Sequence, residues 1–188
     1  MRIIAGKHRG LTLASVGKGD AGAHLRPTTD RVRESLFNLL LNGGYGNPVA
    51  DARVLDLFAG TGALGLEALS RGATHVTFVD DGNKARALIQ ENIRKCRAEG
   101  VTTLNRRDAT RLGENTDTPY DLVFLDPPYG KGLGAKALTA AETGGWLADD
   151  ALIVWEESTP QDAPAGFTLL DQRKYGDTHI SILQAGTT

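Results

Sequence analysis

Cysteine is nearly absent: the single Cys96 among 188 residues leaves no partner for an internal disulfide. No His or Cys stands beside it at metal-ligand spacing, so neither a disulfide framework nor a zinc site is expected. That usage fits a reducing cytoplasm. Long hydrophobic runs are also missing. The longest, residues 151–155, falls far short of the roughly 20 residues of a membrane span. The opening MRIIAGKHRG has no apolar core of a signal peptide, so a soluble, unexported protein without a membrane partner is expected. Internal repeats and low-complexity tracts are lacking. What remains is globular: 40% hydrophobic and 23% charged residues exclude a wholly disordered or collagen-like chain, and the length suits one compact domain.

Net charge is small as well, −2, but it is unevenly spread. Residues 1–34 hold seven Lys/Arg against three acids, +4, and the rest of the chain carries −6. Such asymmetry marks either a basic arm on an acidic enzyme body or a solvated charged face.

The chain divides unequally. Two short apolar stretches within residues 2–16, parted by Gly6 and Gly10, predict a small hairpin, and the glycine-rich residues 17–26 are expected to be mobile. Pro27-Thr28-Thr29-Asp30 is a helix start, followed by a stripe of Val32, Leu36, Leu39 and Leu40 with Arg31, Arg33 and Glu34 off it. Asn42-Gly43-Gly44 ends the helix. Beyond residue 53, candidate strands (54–57, 75–79, 102–105, 122–125, 152–156, 168–173, 180–183) alternate with candidate helices (63–71, 83–99, 135–143). This predicts an α/β fold with a mainly parallel, helix-covered sheet of seven strands. No helix separates the last strands, so an antiparallel pair at one edge is expected.

Gly60-x-Gly62-x-x-Gly65 lies where the first parallel strand runs through a turn into a helix, and Asp80 follows 20 residues after Gly60 at the end of the next strand. That spacing is the dinucleotide fingerprint, with an acid for the ribose hydroxyls. It suits NAD or S-adenosylmethionine, or merely a tight strand-to-helix turn. Asp56 favours S-adenosylmethionine, because an acid there repels a pyrophosphate but can hold an amino-acid ammonium or a bridging water. Asp108, after the third strand, is placed either to accept from an adenine amino group or to cap residues 109–112.

The strand 122–125 stops at Asp126-Pro127-Pro128-Tyr129. Two prolines end a strand simply by lacking N–H donors. The chemical reading is richer. An exocyclic amino group on a base has its lone pair delocalised into the ring, and methylating it needs acceptors for both N–H bonds. Asp126 supplies one and the Pro127 carbonyl the other, while Tyr129 can stack on the base. Rate enhancement would rest on holding the nucleophile in line with the methyl carbon.

Three segments together resemble one family: residues 26–38 (RPTTDRVRESLFN), 56–70 (DLFAGTGALGLEALS) and 126–129 (DPPY). They are similar to the 16S rRNA guanine-N2 methyltransferases, the ribosomal RNA small-subunit methyltransferase D family. The opening Arg2-Ile3-Ile4-Ala5-Gly6 and Gly145-Trp146-Leu147 extend the likeness over nearly the whole chain. The resemblance implies a class I, Rossmann-like methyltransferase fold over residues 27–188, with residues 1–26 as a β-hairpin extension and loop. It implies S-adenosylmethionine as cofactor and methyl transfer to N2 of the guanine usually numbered 966, in the assembled or assembling 30S subunit. A monomer is expected. By position, Asp56, Phe58, Gly60, Gly62, Asp80 and Asp108 hold the cofactor. Asp126, Pro127 and Tyr129 hold the target base, and Arg26, Thr28, Arg31 and Arg33 shape the mouth and contact phosphate.

Other classes remain as contrasts. A DNA amino-methyltransferase uses the same turn on adenine or cytosine after extruding the base, but commonly carries a target-recognition region that finds no room here. A cytosine-C5 enzyme needs a nucleophilic cysteine, and Cys96 falls in a predicted helix. A protein-glutamine methyltransferase typically has Asn where Asp126 stands. A non-catalytic assembly factor has no need of intact acceptors at 126–127. Trp146 and Trp155 are read as packing residues, and none of the four histidines is given a ligand or base role.

Overall fold

The computed structural model describes residues 1–16 and 28–187. After helix α1 (Asp30–Asn42), strands and helices alternate: β1 (Arg53–Leu57), α2 (Ala63–Ser70), β2 (His75–Val79), α3 (Asn83–Lys95), β3 (Thr102–Asn105), β4 (Tyr120–Leu125), α4 (Leu133–Thr143) and β5 (Leu147–Glu157). Two further strands, β6 (Phe167–Tyr175) and β7 (Thr178–Ala185), follow without a helix between them. The sheet order is β3-β2-β1-β4-β5-β7-β6. Pairings from β3 through β5 are parallel, and β7 runs antiparallel to both β5 and β6. This is the expected α/β architecture with its antiparallel edge pair. Strands β1, β2 and β4 are buried almost throughout, as parallel strands covered on both faces must be, so they read as apolar runs rather than alternations.

Two apolar clusters sandwich the sheet. Leu36, Phe37, Leu66 and Ile89 pack on one face, while Leu138, Trp146 and Trp155 pack on the other. Trp146 stacks on Tyr120 with ring centroids 6.0 Å apart, and both tryptophans are packing residues, as expected. Cys96 is 2% exposed, and burial pushes its thiol up to about 11, the setting of an inert cysteine.

The expected hairpin takes a looser form. Residues 1–13 double back through one antiparallel bridge, Arg2 with Thr12, and hydrogen bonds such as Ile3 N–H to Leu11 carbonyl at 3.0 Å. This segment lies on α2, where Glu67, fully buried, accepts the backbone N–H groups of Ile4 at 2.8 Å and Ala5 at 3.1 Å. Asn92 of α3 ties it further, exchanging hydrogen bonds with Ala14 while donating to the Thr61 carbonyl in the glycine loop. Helix α1 begins at Thr29, whose hydroxyl accepts from Val32 N–H at 3.2 Å, a side-chain N-cap.

Arg33 corrects the sequence reading. It is fully buried in α1 with Leu36, Phe37 and Leu40, so the inward face is turned by about one residue from the predicted stripe. Its guanidinium pairs with Asp30 and donates to the Arg2 carbonyl. Glu67 stands 3.8 Å away on the far side. A guanidinium enclosed in this way is a structural clamp and is unable to contact phosphate. Among the described residues, no helix is long and apolar enough to cross a membrane.

Candidate active site at the switch point of the sheet

Strand order reverses between β1 and β4, and in open α/β sheets ligands bind beyond the carboxyl ends of the strands at that point. Leu57 and Leu125 end these strands side by side, so the glycine loop after β1 and the Asp-Pro-Pro-Tyr turn after β4 rise together. Asp126 N–H continues the ladder toward the Leu57 carbonyl at 3.4 Å. Two motifs separated by sixty-odd residues of sequence therefore share one crevice.

Phe58, the first residue past β1, holds a left-handed conformation with φ 57°, a conformation that costs of order 1–3 kcal/mol for a non-glycine residue and clusters at functional sites. Gly60 and Gly62 follow with φ 61° and 79°, which explains the glycines there. Gly65 is required for a different reason. A Cβ on it would stand 2.6 Å from the Phe78 ring and 2.7 Å from a Val76 methyl. Gly65→Ala is therefore expected to cost about 1–3 kcal/mol through overpacking and to weaken cofactor binding, as thermal unfolding and calorimetric titration would show.

A cavity of about 220 Å³ opens beside this loop, lined by Phe58, Asp80, Asp81, Arg107, Asp108 and Pro128 among others. Asp80 anchors the loop itself, accepting Gly60 N–H at 3.0 Å on one oxygen and Gly82 N–H at 2.9 Å on the other. Burial holds its pKa up. Of the two roles the sequence left open, Asp108 takes that of cap, accepting the Thr110 N–H and hydroxyl at the start of the short helix Ala109–Arg111, and it also lines the cavity. Those two bonds lower its pKa. Three carboxylates against the one guanidinium of Arg107 suit a cationic sulfonium with ribose and adenine hydrogen-bonding groups, and oppose a pyrophosphate. Arg107 had no part in the sequence reading.

Asp56 is placed differently from the expectation. Its side chain is 1% exposed and accepts Gly65 N–H at 3.0 Å, while burial pushes its pKa up to about 8. It braces the loop from beneath and is not among the residues lining the cavity, so a direct grip on the cofactor's ammonium is corrected to support of the loop.

Around the second motif, Pro127 is buried and Asp126 and Tyr129 are half-buried. Asp126 has its pKa raised well above the ordinary range, first by burial, then by the charges of Glu156 and Asp56. Tyr129 donates its phenol to Glu156 Oε1 at 3.0 Å and meets the Thr178 hydroxyl at 3.3 Å. Thr28 reaches in from the start of α1: its hydroxyl donates to Glu156 Oε2 at 2.8 Å and lies 3.5 Å from Asp126 Oδ2. Glu157, next along β5, accepts Gly130 N–H at 3.2 Å and so pins the far end of the turn. Glu156, Glu157 and Thr178 were missed. The signal was present, since two adjacent acids close an apolar strand at the carboxyl edge of the sheet.

Thr28 thus sits at the site, Arg31 is exposed on the first turn of α1, Arg33 is buried as described, and Arg26 lies outside the described residues.

The family model described as Conserved hypothetical protein 95 matches residues 1–184. Ribosomal RNA small subunit methyltransferase D of Escherichia coli K12 is 37% identical, over 98% of this chain and 89% of that protein. Its Haemophilus influenzae counterpart is 36% identical, over 98% and 93%. Among solved structures, the Escherichia coli protein yhhF, a proposed methyltransferase, superposes with a TM-score of 0.81 at 35% identity, covering 100% of this chain and 99% of the other. The seven-stranded sheet is accordingly the Rossmann-like class I methyltransferase fold, and the cavity residues fit the cofactor such enzymes use. The chain belongs to the ribosomal RNA small subunit methyltransferase D family, and its cofactor is S-adenosylmethionine.

Proposed function

We propose that this protein methylates the exocyclic N2 amino group of a guanine of the 966 type in 16S rRNA, as a monomer acting on the assembled or assembling 30S subunit in the cytoplasm. The observation that carries the reading is the pairing of Asp126, at the end of β4, with the glycine-loop cavity at the end of the adjacent β1. S-adenosylmethionine supplies an electrophilic methyl group. Asp126 accepts one amino N–H and the Pro127 carbonyl the other, turning the nitrogen lone pair out of the ring plane. Tyr129, its phenol anchored by Glu156, offers a ring for stacking on the base, worth about 1–3 kcal/mol. As the N–C bond forms and the bond from that methyl to the sulfonium sulfur breaks, leaving S-adenosylhomocysteine, the amino proton passes to Asp126. Asp80 and Asp108 hold ribose and adenine, Phe58, Gly60 and Gly62 shape the loop against the cofactor, and Asp56 supports that loop.

Residues 1–26 serve as an RNA-facing extension of the methyltransferase domain at 27–188. Arg2, Lys7, Arg9 and Arg31 are exposed and suit phosphate contacts, with Arg26 assigned the same role by family resemblance. Removing one phosphate contact releases one fewer set of counterions. Arg31→Ala is therefore expected to reduce the slope of log affinity against log salt by about 0.7–0.9, measured by particle binding across a salt series. Arg33→Ala should instead lower thermal stability.

Transfer of labelled methyl groups to 30S particles that lack the modification, with duplex DNA of equal base content as the competitor substrate, tests the proposal. Label in the particle RNA supports it. Label in DNA alone overturns it.

A further inference from the structure

Adenine and cytosine also carry exocyclic amino groups, so an amino-accepting turn does not by itself select guanine. The difference lies at the neighbouring ring nitrogen: guanine presents an N–H donor there, whereas adenine and cytosine present a lone pair. An enzyme that reads an extruded base by its Watson–Crick edge can exploit this.

Thr28 is built for that distinction. A hydroxyl has one proton and two lone pairs. The proton of Thr28 is committed to Glu156 Oε2 at 2.8 Å, and Glu156 is 5% exposed with its other oxygen taken by Tyr129 at 3.0 Å. At 3.5 Å from Asp126 Oδ2 the hydroxyl is too far to donate a good hydrogen bond there. Its remaining capacity beside Asp126 is that of an acceptor. Two acceptors at that separation are spaced to take roughly parallel hydrogen bonds from adjacent N–H groups on one base edge.

We propose that Thr28 is a specificity-determining residue that accepts the ring N1–H of guanine while Asp126 accepts the adjacent amino group, and that Glu156 is a positioning residue that fixes the direction of the Thr28 hydroxyl. The inference rests on the guanine-N2 reading above. Adenine or cytosine in the same pose sets a ring lone pair against the Thr28 lone pairs, leaving both without a partner. Glu156 thereby links three parts of the site: the arm before α1, the catalytic turn and the stacking ring.

The test uses small-subunit particles reconstituted with guanine or with 2-aminopurine at the target nucleotide. 2-Aminopurine keeps the 2-amino group and lacks the N1 proton. The unaltered enzyme is expected to favour guanine about 100-fold in kcat/KM, because unpaired buried polar groups are costly. Thr28→Val is expected to compress that preference below about tenfold, and Thr28→Ser to retain it. Glu156→Gln, which offers one oxygen where two were needed, should compress it as well. The missing O6 of 2-aminopurine is common to every enzyme, so only the change in preference between variants reports the hydroxyl. S-adenosylhomocysteine binding by calorimetry should stay unchanged in the Thr28 variants, which separates base reading from misfolding. An unaltered enzyme indifferent to the two bases, or a Thr28→Val enzyme with full discrimination, would overturn the role of Thr28. Full discrimination in Glu156→Gln would overturn that of Glu156. A particle whose guanine acquires no methyl group from the unaltered enzyme would overturn the methylation reading itself.

Discussion

Asp126→Ala is expected to reduce kcat for methyl transfer by about 10²- to 10⁴-fold, the range for a lost proton acceptor at a reacting centre. Affinity for S-adenosylmethionine should barely change. In the proposed mechanism the carboxylate accepts from the amino nitrogen and receives its proton, whereas the cavity proposed for the cofactor is lined by Phe58, Asp80 and Asp108 among others and not by Asp126. The same group dictates a pH dependence. Burial and the charges of Glu156 and Asp56 hold the pKa of Asp126 well above the ordinary carboxylate range. Only the ionised form can take up the proton released by the amino nitrogen. Activity should therefore rise with pH as Asp126 ionises, and be lost on acidification at a higher pH than an exposed aspartate would give. Asp126→Asn should keep the shape, retain part of the rate and remove that acid limb. Single-turnover rates over a pH series, with calorimetric cofactor binding in parallel, check all three points. A pH profile unchanged in Asp126→Asn would assign the limb to another group.

Glu67→Ala is expected to have the largest effect on stability, about 3–5 kcal/mol, the usual loss when one partner of a buried charge pair is removed. Three interactions fail together. The buried Arg33 loses one of its two nearby carboxylates, Arg71 loses an ion pair at 2.8 Å, and the N–H groups of Ile4 and Ala5 lose their acceptor. For a chain of this length the midpoint of thermal unfolding should fall by about 6–20 °C. Glu67→Gln keeps an acceptor for the backbone and should lose less. Because the first sixteen residues dock through Glu67, Ser70 and Asn92, amide exchange should rise at Ile4 and Ala5 first. A fall in midpoint of only a degree or two would show that Glu67 is not the clamp.

The parts of the fold that were legible in the sequence are those set by local pattern. Strand 75–79 appears with the bounds its largely apolar run suggests, because its burial from Val76 onward leaves little room for polar residues. The glycine loop was legible for a similar reason, since positive φ and close packing leave glycine as the residue that fits. What escaped depends on contacts between distant segments. Arg33 reads as solvated until Glu67 is brought beneath it by α2. The burial of Phe37 in place of Leu39 follows from the same rotation of α1, and Phe37 is also covered by the Arg71 guanidinium at 4.7 Å. Strand β5 starts at Leu147, five residues earlier than the predicted strand, because Leu147 already pairs with Tyr120 of β4 and the register then shifts through an irregularity that takes up Asp149 and Asp150 before Leu152 pairs with Leu122. Glu156 gains its role only because β5 lies next to β4, and strand order cannot be read from periodicity.

The central claim is that Asp126 and its neighbours direct methyl transfer to the amino group of guanine. The most direct measurement is nucleoside analysis by mass spectrometry of 16S rRNA from small-subunit particles lacking the modification, after incubation with this protein and S-adenosylmethionine. The expected product is N2-methylguanosine, at one site per particle, absent when Asp126→Ala is used. Methylation at adenine N6 or cytosine N4, or no methylated nucleoside from a folded, cofactor-binding protein, would contradict it.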